Sequence, residues 1–483
     1  MGFPKFCVIS LILLSVVILQ TAGATLTTTD HEFLEDLEKR AFQFFWEHSN
    51  NGTGLTLDRT RTTGEAAAPG THNHNIASIA ASGFALVSYC IASNRNWAQK
   101  NELLTRTRNT LDFFAHRAPH KEGWFYHWMD AETGVRRWSS EISSIDTALL
   151  LGGVLTVKQC FKENEEIVRM ATAIYERVDF RWMLNGDANY LSHGWTDENN
   201  FLASRWTDYS EQTMLNLLAI ASPTFNISWT TWYALKRDYR TYKNHRYISA
   251  VPPLFIHQYS HAFFDYRGKR ETFSNFSVDY FENSVVATRV QQEFFAEELS
   301  GKWPHYSANL WGLTASDSAD GYKAWGAPPE DPTTDGTVVP CAAGGSLMFA
   351  PEITLPTLRS MKEKYPHTYG RYGFADAFNP ATNWTNSDVL GIDVGITLLS
   401  AENLRTGKVW AWFMANPEAQ EALRRVHLLD VATSTSSIMA STNMPSTVPP
   451  NLDTTVTQTS SSVLTKSSVL LWLFILSAIH RTM

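Results

Sequence analysis

The chain has 483 residues, a net charge of −8 at pH 7, and 17 Trp and 17 Tyr. The charge leaves no basic footprint for nucleic acid. Aromatic rings in that number suit stacking on the C–H faces of sugars, although any one of them can equally belong to the core.

The first residues read as an export signal. Lys5 precedes an apolar run from Val8 to Leu19, and Ala22-Gly23-Ala24 supplies small residues for cleavage. The run is shorter than the roughly 20 residues that span a bilayer. Residues 1–24 are therefore expected to be a removed signal peptide, and residues 25–430 to form one catalytic domain. Those about 400 residues exceed a typical single domain, yet no Gly/Ser-rich or Pro-rich linker divides them. Four sequons, at Asn51, Asn226, Asn275 and Asn383, are expected glycosylation sites on the surface. Of the cysteines that remain after cleavage (Cys90, Cys160 and Cys341), at most one pair can bond, and core packing is expected for all three.

From His31 onward the periodicity is helical almost throughout. Residues 31–49 are expected to open on Asp30 as N-cap, with Leu34, Leu37, Ala41, Phe44 and Phe45 on one face. The stretches 76–92, 145–160, 212–221 and 392–404 are apolar on all sides, as buried helices are, whereas 101–116 is amphipathic. Alternation of the two types predicts two concentric rings, an all-α fold built as an α/α six-fold barrel (toroid). Few strands are expected. Residues 193–200 and 314–337 read as long loops at the active-site mouth.

In such a barrel the inner helices run the same way, so their N-termini gather at one mouth. Acids stand at three of those starts: Glu141 and Asp146, Asp208 and Glu211, and Asp393. Carboxyl pairs serve glycoside hydrolysis, one giving a proton to the leaving oxygen and the other activating water or attacking. An acid at a helix start can instead be a cap that answers the orphan N–H groups. Glu211, beside Tyr209 and Asp208 and before an apolar helix, suits the proton donor. Asp393 or Asp146 suits the base.

Two motifs resemble metal sites. His257 and His261 are spaced i, i+4, but Gln258 stands where a zinc helix carries its catalytic Glu. Contact with sugar hydroxyls, or a hydrogen-bonded core, fits better. Asp317 to Gly321 lacks the spacing of a calcium loop. No metal and no cofactor is expected.

From Val431 to Ser468 the chain is rich in Ser and Thr, with too little apolar surface to order itself, and reads as an O-glycosylated stalk. Residues 469–483 carry a short apolar tail. With the small residues Ser460-Ser461-Ser462 upstream, this is the pattern of a GPI signal, with Ser460 as the expected anchor residue. A single tail-anchored span is the alternative. The expected location is the extracellular face of the plasma membrane, and the expected oligomeric state is a monomer.

Several stretches together carry a family resemblance: Glu141-Ile-Ser-Ser-Ile-Asp-Thr-Ala-Leu-Leu, Tyr209-Ser-Glu, Leu254-Phe-Ile-His-Gln-Tyr-Ser-His-Ala, Trp311-Gly-Leu-Thr-Ala-Ser-Asp, Asp320-Gly-Tyr, Arg371-Tyr-Gly-Phe-x-Asp-Ala-Phe-Asn and Gly391-Ile-Asp-x-Gly. On these the chain resembles glycoside hydrolase family 144, the glucoamylase-like domain that includes endo-β-1,2-glucanases, from about Leu37 to Met414. The resemblance implies an α/α six-fold barrel and inverting hydrolysis within a β-1,2-glucan. It places the family's acids on Asp146, Glu211 and Asp393. Within the motifs, Glu141, Tyr209, His257, Gln258, His261, Trp311, Asp317, Asp320 and Tyr322 are candidate substrate-binding residues. Three positions depart from the family pattern: Ser210 replaces the usual Asn, and Val394 and Ile396 replace Gln and Pro. A different glycosidic linkage, or a glucan-binding surface protein without turnover, therefore stands as the alternative.

Overall fold

The computed structural model describes residues 26–250, 253–273, 277–325 and 334–431. The expected signal peptide, stalk, apolar tail, Ser460 and Asn275 lie outside the described residues. In chain order the helices are α1 (Thr28–His48), α2 (Ile79–Arg95), α3 (Lys100–Asp112), α4 (Ser144–Cys160), α5 (Glu165–Arg177), α6 (Phe180–Leu184), α7 (Thr213–Ala221) and α8 (Thr230–Ala234). They continue as α9 (Tyr259–Phe263), α10 (Tyr280–Glu297), α11 (Pro340–Gly344), α12 (Pro351–Lys364), α13 (Gly391–Thr406), α14 (Lys408–Met414) and α15 (Pro417–Arg425).

The expected two-ring arrangement is present. Helices α2, α4, α7, α9, α11 and α13 are buried on nearly every side and form the inner ring. Outer helices bury one stripe only. Helix α5, for example, turns Ile167, Met170, Ala171, Ile174 and Tyr175 inward, the i, i+3, i+4, i+7 spacing of an amphipathic helix. Around the ring α2 packs on α4, α4 on α7, α7 on α9, and α13 on both α11 and α2. Between α9 and α11 the contact is polar: Gln258 Nε2 donates to Ala342 O and Ser346 Oγ. Helix α14 packs beneath the ring against α4, α9 and α13.

The tightest inner contact, α2 on α4, depends on glycine. A Cβ on Gly153 would lie 2.1 Å from the carbonyl oxygen of Gly83, so the two backbones touch. That approach carries the far ends of both helices together, and Cys90 and Cys160 form a disulfide there. The expectation of three packed thiols is corrected: among the described residues only Cys341 is free, and it is buried.

Two further expectations are corrected. Helix α1 is capped by Thr27, whose hydroxyl accepts from Asp30 N while Asp30 answers the Thr27 N–H, so Asp30 is the N3 partner of a capping box. Residues 193–200 are not a plain loop. Gly194–Thr196 pairs with both Ile142–Ser143 and Asn200–Phe201 in a three-stranded sheet. Strands of two or three residues are too short to show alternation in sequence. They matter because they lead directly into inner helices: Ile76–Ser78 runs into α2, Ile142–Ser143 into α4 and Asp388–Leu390 into α13.

Candidate active site

The strands aim the starts of the inner helices at one cavity. Every inner helix contributes to it at or near its N-terminus. Ser78 precedes α2, Asp146 opens α4, Glu211 precedes α7, Tyr259 opens α9, Cys341 opens α11 and Asp393 opens α13. The wall between them is apolar, from Ile145, Leu149, Phe255, Leu390, Ile392 and Ile396. On one side Trp138 stacks on His72 at 4.4 Å and 10° and receives the edge of Trp128 at 5.3 Å, giving an aromatic platform.

None of the three acids serves as a cap. Ser143 caps α4, its hydroxyl accepting from Asp146 N, and no side chain caps α7 or α13. The carboxyl groups of Asp146, Glu211 and Asp393 are buried and line the cavity.

Their surroundings differ. Burial pushes Glu211 up to about 7, against the hydrogen bond from the Ser210 hydroxyl, and the nearby charge of Asp146 adds to the rise. No cation is among the groups that act on it. Asp146 is also raised by burial, but His127 opposes this: Nε2 lies 3.5 Å from its Oδ1, and Ser143 Oγ donates to Oδ2 at 2.6 Å. His127 is clamped at its other nitrogen by Glu141, 3.0 Å away, and stacks on Trp128 at 3.5 Å. Burial disfavours the imidazolium, yet Asp146 and Glu141 outweigh it and lift His127 to about 9. His127, Glu141 and Asp146 are close enough together to hold a cation between them. A protonated imidazole already supplies positive charge at their centre, and no metal is assigned to the group.

Burial lifts Asp393 to about 6. Behind it lies Asp376, buried and raised well above the usual carboxyl range by burial and then by Asp393. The free thiol of Cys341, which lines the cavity beside it, is pushed well up by burial and then by the charge of Asp393.

The other candidate residues divide. Gln258 and Tyr322 line the cavity. Glu141 holds His127, and Asp317 accepts from Arg59, which itself lines the cavity, at 2.7 Å. Tyr209 stacks on Tyr280, and His257 and His261 are buried, their pKa values pushed down by desolvation; these three, with buried Trp311, belong to the core and not to the cavity lining. Asp320 sits exposed in a turn outside it. Asp208 does not reach the cavity, and its carboxylate accepts from Thr207. The like charge that raises Glu211 is therefore Asp146, from another helix. Sequence reasoning missed Asp58, Arg59, His127, Trp138 and Asp376. Asp376 stood inside a quoted motif, but nothing in a lone Asp beyond a loop signals that it faces Asp393. Of the departures from the family pattern, Ser210 bonds Glu211, Ile396 lines the cavity and Val394 lies behind Asp393. Sequon residues Asn51 and Asn383 are exposed, and Asn226 is half-buried beside Arg181.

Comparison with known proteins agrees with the motif resemblance. Residues 203–417 match the Glycoamylase family model, described as "Putative glucoamylase". A curated protein of Parabacteroides distasonis, named exo β-1,2-glucooligosaccharide sophorohydrolase (non-reducing end), is 25% identical over 446 residues, 84% of this chain. The chain spans 59% of that relative's length. The solved endo-β-1,2-glucanase of Chitinophaga pinensis, in complex with sophorotriose and glucose, superposes with a TM-score of 0.74 at 26% identity, covering 83% of this chain and 98% of that one. The endo-β-1,2-glucanase of Talaromyces funiculosus shares the fold at 13% identity and a TM-score of 0.59, covering 85% and 89%. The glucoamylase-like resemblance and the α/α toroid both stand.

Proposed function

We propose that this chain is a glycoside hydrolase of the glucoamylase-like kind, cleaving a β-1,2-glucan at the shared mouth of its inner helices. The observation that carries the reading is the pair Glu211 and Asp393, buried on different helices and facing one cavity, with pKa values near 7 and 6. The names of the relatives supply the linkage.

The division of labour follows from surroundings. Glu211, unopposed by any cation, keeps its proton up to about pH 7 and serves as general acid to the leaving oxygen. Asp393, with the lower pKa, accepts the proton of the attacking water. The balance is that of inversion: the water oxygen bonds the anomeric carbon as the bond to the leaving oxygen breaks, Glu211 gives one proton and Asp393 takes one. Asp146 stays ionised against His127 and favours positive charge developing on the ring. The platform of Trp138 and Trp128 offers faces for sugar stacking. Ile396 in the wall gives one subsite an apolar surface where the family pattern has proline.

Secretion fits the Cys90–Cys160 disulfide and the exposed Asn51 and Asn383. Anchoring rests on the C-terminal sequence alone. Among the described residues no helix is long and apolar enough to cross a membrane.

The purified chain is expected to release short oligosaccharides from linear β-1,2-glucan, with the newly formed reducing end appearing first as the inverted anomer by NMR. No rise in reducing ends across a panel of β- and α-linked glucans defeats the reading. Binding of the glucan without turnover would make the chain a glucan-binding protein instead.

A further inference from the structure

The cavity wall behind Asp393 is backed by a smaller pocket, which Asp376 and Asp393 both line together with Cys341. Asp376 comes from the loop after the short strand Gly373–Phe374, and Asp393 from the first turn of α13. One Asp376 oxygen is fully engaged: Oδ2 accepts from Asp317 N at 2.9 Å and from Asn386 Nδ2 at 2.9 Å. Those partners are themselves held. Asn386 Nδ2 also donates to Asp317 Oδ2 at 3.0 Å, and Arg59 Nη1 donates to the same oxygen at 2.7 Å. The other Asp376 oxygen, Oδ1, is buried with no N–H, thiol or alcohol hydroxyl bonding it, and so is Asp393 Oδ2. The two carboxyl groups are within hydrogen-bonding reach of each other. Two buried acceptors in contact repel unless a proton lies between them.

We propose that Asp376 is a positioning residue: as a neutral carboxylic acid it donates from Oδ1 to Asp393 Oδ2, which leaves Asp393 ionised and its other oxygen free to take a proton from water. The proton resides on Asp376 because the charged form there is disfavoured by burial, by Asp393 and by Asp317. Asp393 is the better site for the charge. It receives the Asp376 proton and stands at a helix N-terminus. Other charged groups bear on the pair. Asp58 and Asp317 raise Asp393, and Arg59, bonded to Asp317 and close to Asp388, is the cation of this side. Tyr259 and Tyr322 are held neutral with Asp393 among the causes. During turnover the pair passes from one shared proton to two, and returns by releasing one to solvent.

The role as base partner rests on the hydrolase reading, but the shared proton does not, so the test has two readouts. The first is infrared difference spectroscopy of the full chain at pH 7, wild type against Asp376→Asn, in ordinary and heavy water. A protonated-carboxyl C=O band lost in the variant is expected; an unchanged carboxyl region overturns the proposal whatever the protein does to glucan. The second is the pH profile of β-1,2-glucan cleavage. An Asn at 376 can accept from Asp317 N and Asn386 with its oxygen and donate to Asp393 with its amide. Asp376→Asn is therefore expected to keep activity within about tenfold, with the acidic limb little moved. Asp376→Ala removes the donor, so Asp393 holds its proton to higher pH and the acidic limb moves upward. If Asn at 376 abolishes activity in a folded protein, or if the Ala variant's limb stays in place, Asp376 does not act as a neutral donor. If wild type shows no turnover, the hydrolase reading has failed and the infrared result alone judges the proton.

Discussion

Helix α13 carries buried carboxyl groups near both ends, and the two ends treat them differently. At its C-terminal end Glu402 meets Arg95 at 2.6 Å, while Arg405 reaches Glu38 and Glu35 of α1, each at 2.8 Å. Nine residues earlier, roughly 13 Å along the helix axis, Asp393 faces Asp376 and an open cavity instead of a guanidinium. At the closed end three carboxyl groups share two arginines, and fully buried Glu38 is pushed well up by burial and then by Glu402. At the mouth Asp58, Glu141, Asp146, Glu211, Asp317, Asp376 and Asp393 draw their ion pairs from Arg59 and His127, fewer partners per acid than at the closed end among the described residues. Paired buried acids bind helices to one another; acids left short of cations hold protons near neutral pH and can exchange them.

The largest effect expected from this contrast is on rate. Replacing Glu211 with Gln removes the proton donor while keeping its shape, and general acid–base groups contribute about 100- to 10,000-fold. Glu211→Gln and Asp393→Asn are each expected to lower kcat on β-1,2-glucan by that order with the circular-dichroism spectrum unchanged. Activity surviving both changes would remove these residues from the chemistry.

At the closed end the same kind of change should act on stability alone. Arg405→Met strips the 2.8 Å partner from fully buried Glu38, and losing one member of a buried pair costs about 3–5 kcal/mol. Urea unfolding at pH 7 measures it. Turnover per folded molecule should match wild type, and a variant that unfolds normally but has lost turnover would show that the two ends are not separate.

The third effect reverses that sign. Glu211 has its folded pKa raised to about 7 from an ordinary 4.5. A raised carboxyl stabilises the fold below its unfolded pKa, and that contribution is lost as pH climbs through 7. At pH 8 the wild type holds a buried carboxylate, so Glu211→Gln should be more stable than wild type. At about 1.4 kcal/mol per pKa unit the gain is up to about 3 kcal/mol, and it vanishes near pH 4. The same values predict a narrow bell for turnover, falling below about 6 as Asp393 protonates and above about 7 as Glu211 ionises. A broad plateau from pH 5 to 9 contradicts both assignments.

Sequence periodicity reached the two rings because a helix apolar on all sides has no other place than an interior. It reached Asp146, Glu211 and Asp393 because helices running one way bring their starts together. It did not reach the short strands that aim those starts, since two or three residues carry no period. Nor did it reach Arg59, His127 or Asp376, which come from loops and strand ends whose placement depends on contacts far along the chain. Nearness in sequence also misled: Asp208 is three residues from Glu211, yet Asp146, from a different helix, is the charge that acts on it.

That last point yields the smallest expected effect and the most discriminating one. Asp208 lies outside the cavity with its carboxylate bonded to Thr207, and substitutions at such sites usually change stability by no more than about 0.5 kcal/mol. Asp208→Asn should leave the alkaline limb of the pH profile where it stands. Asp146→Asn should move that limb to lower pH. A like charge disfavours ionisation, so removing it lowers the pKa at which Glu211 gives up its proton. The comparison reads limb position and not rate, so it holds even if Asp146→Asn also slows turnover. Equal shifts in the two variants would mean that Glu211 is set by its own loop and not by the meeting of α4 and α7 at the mouth.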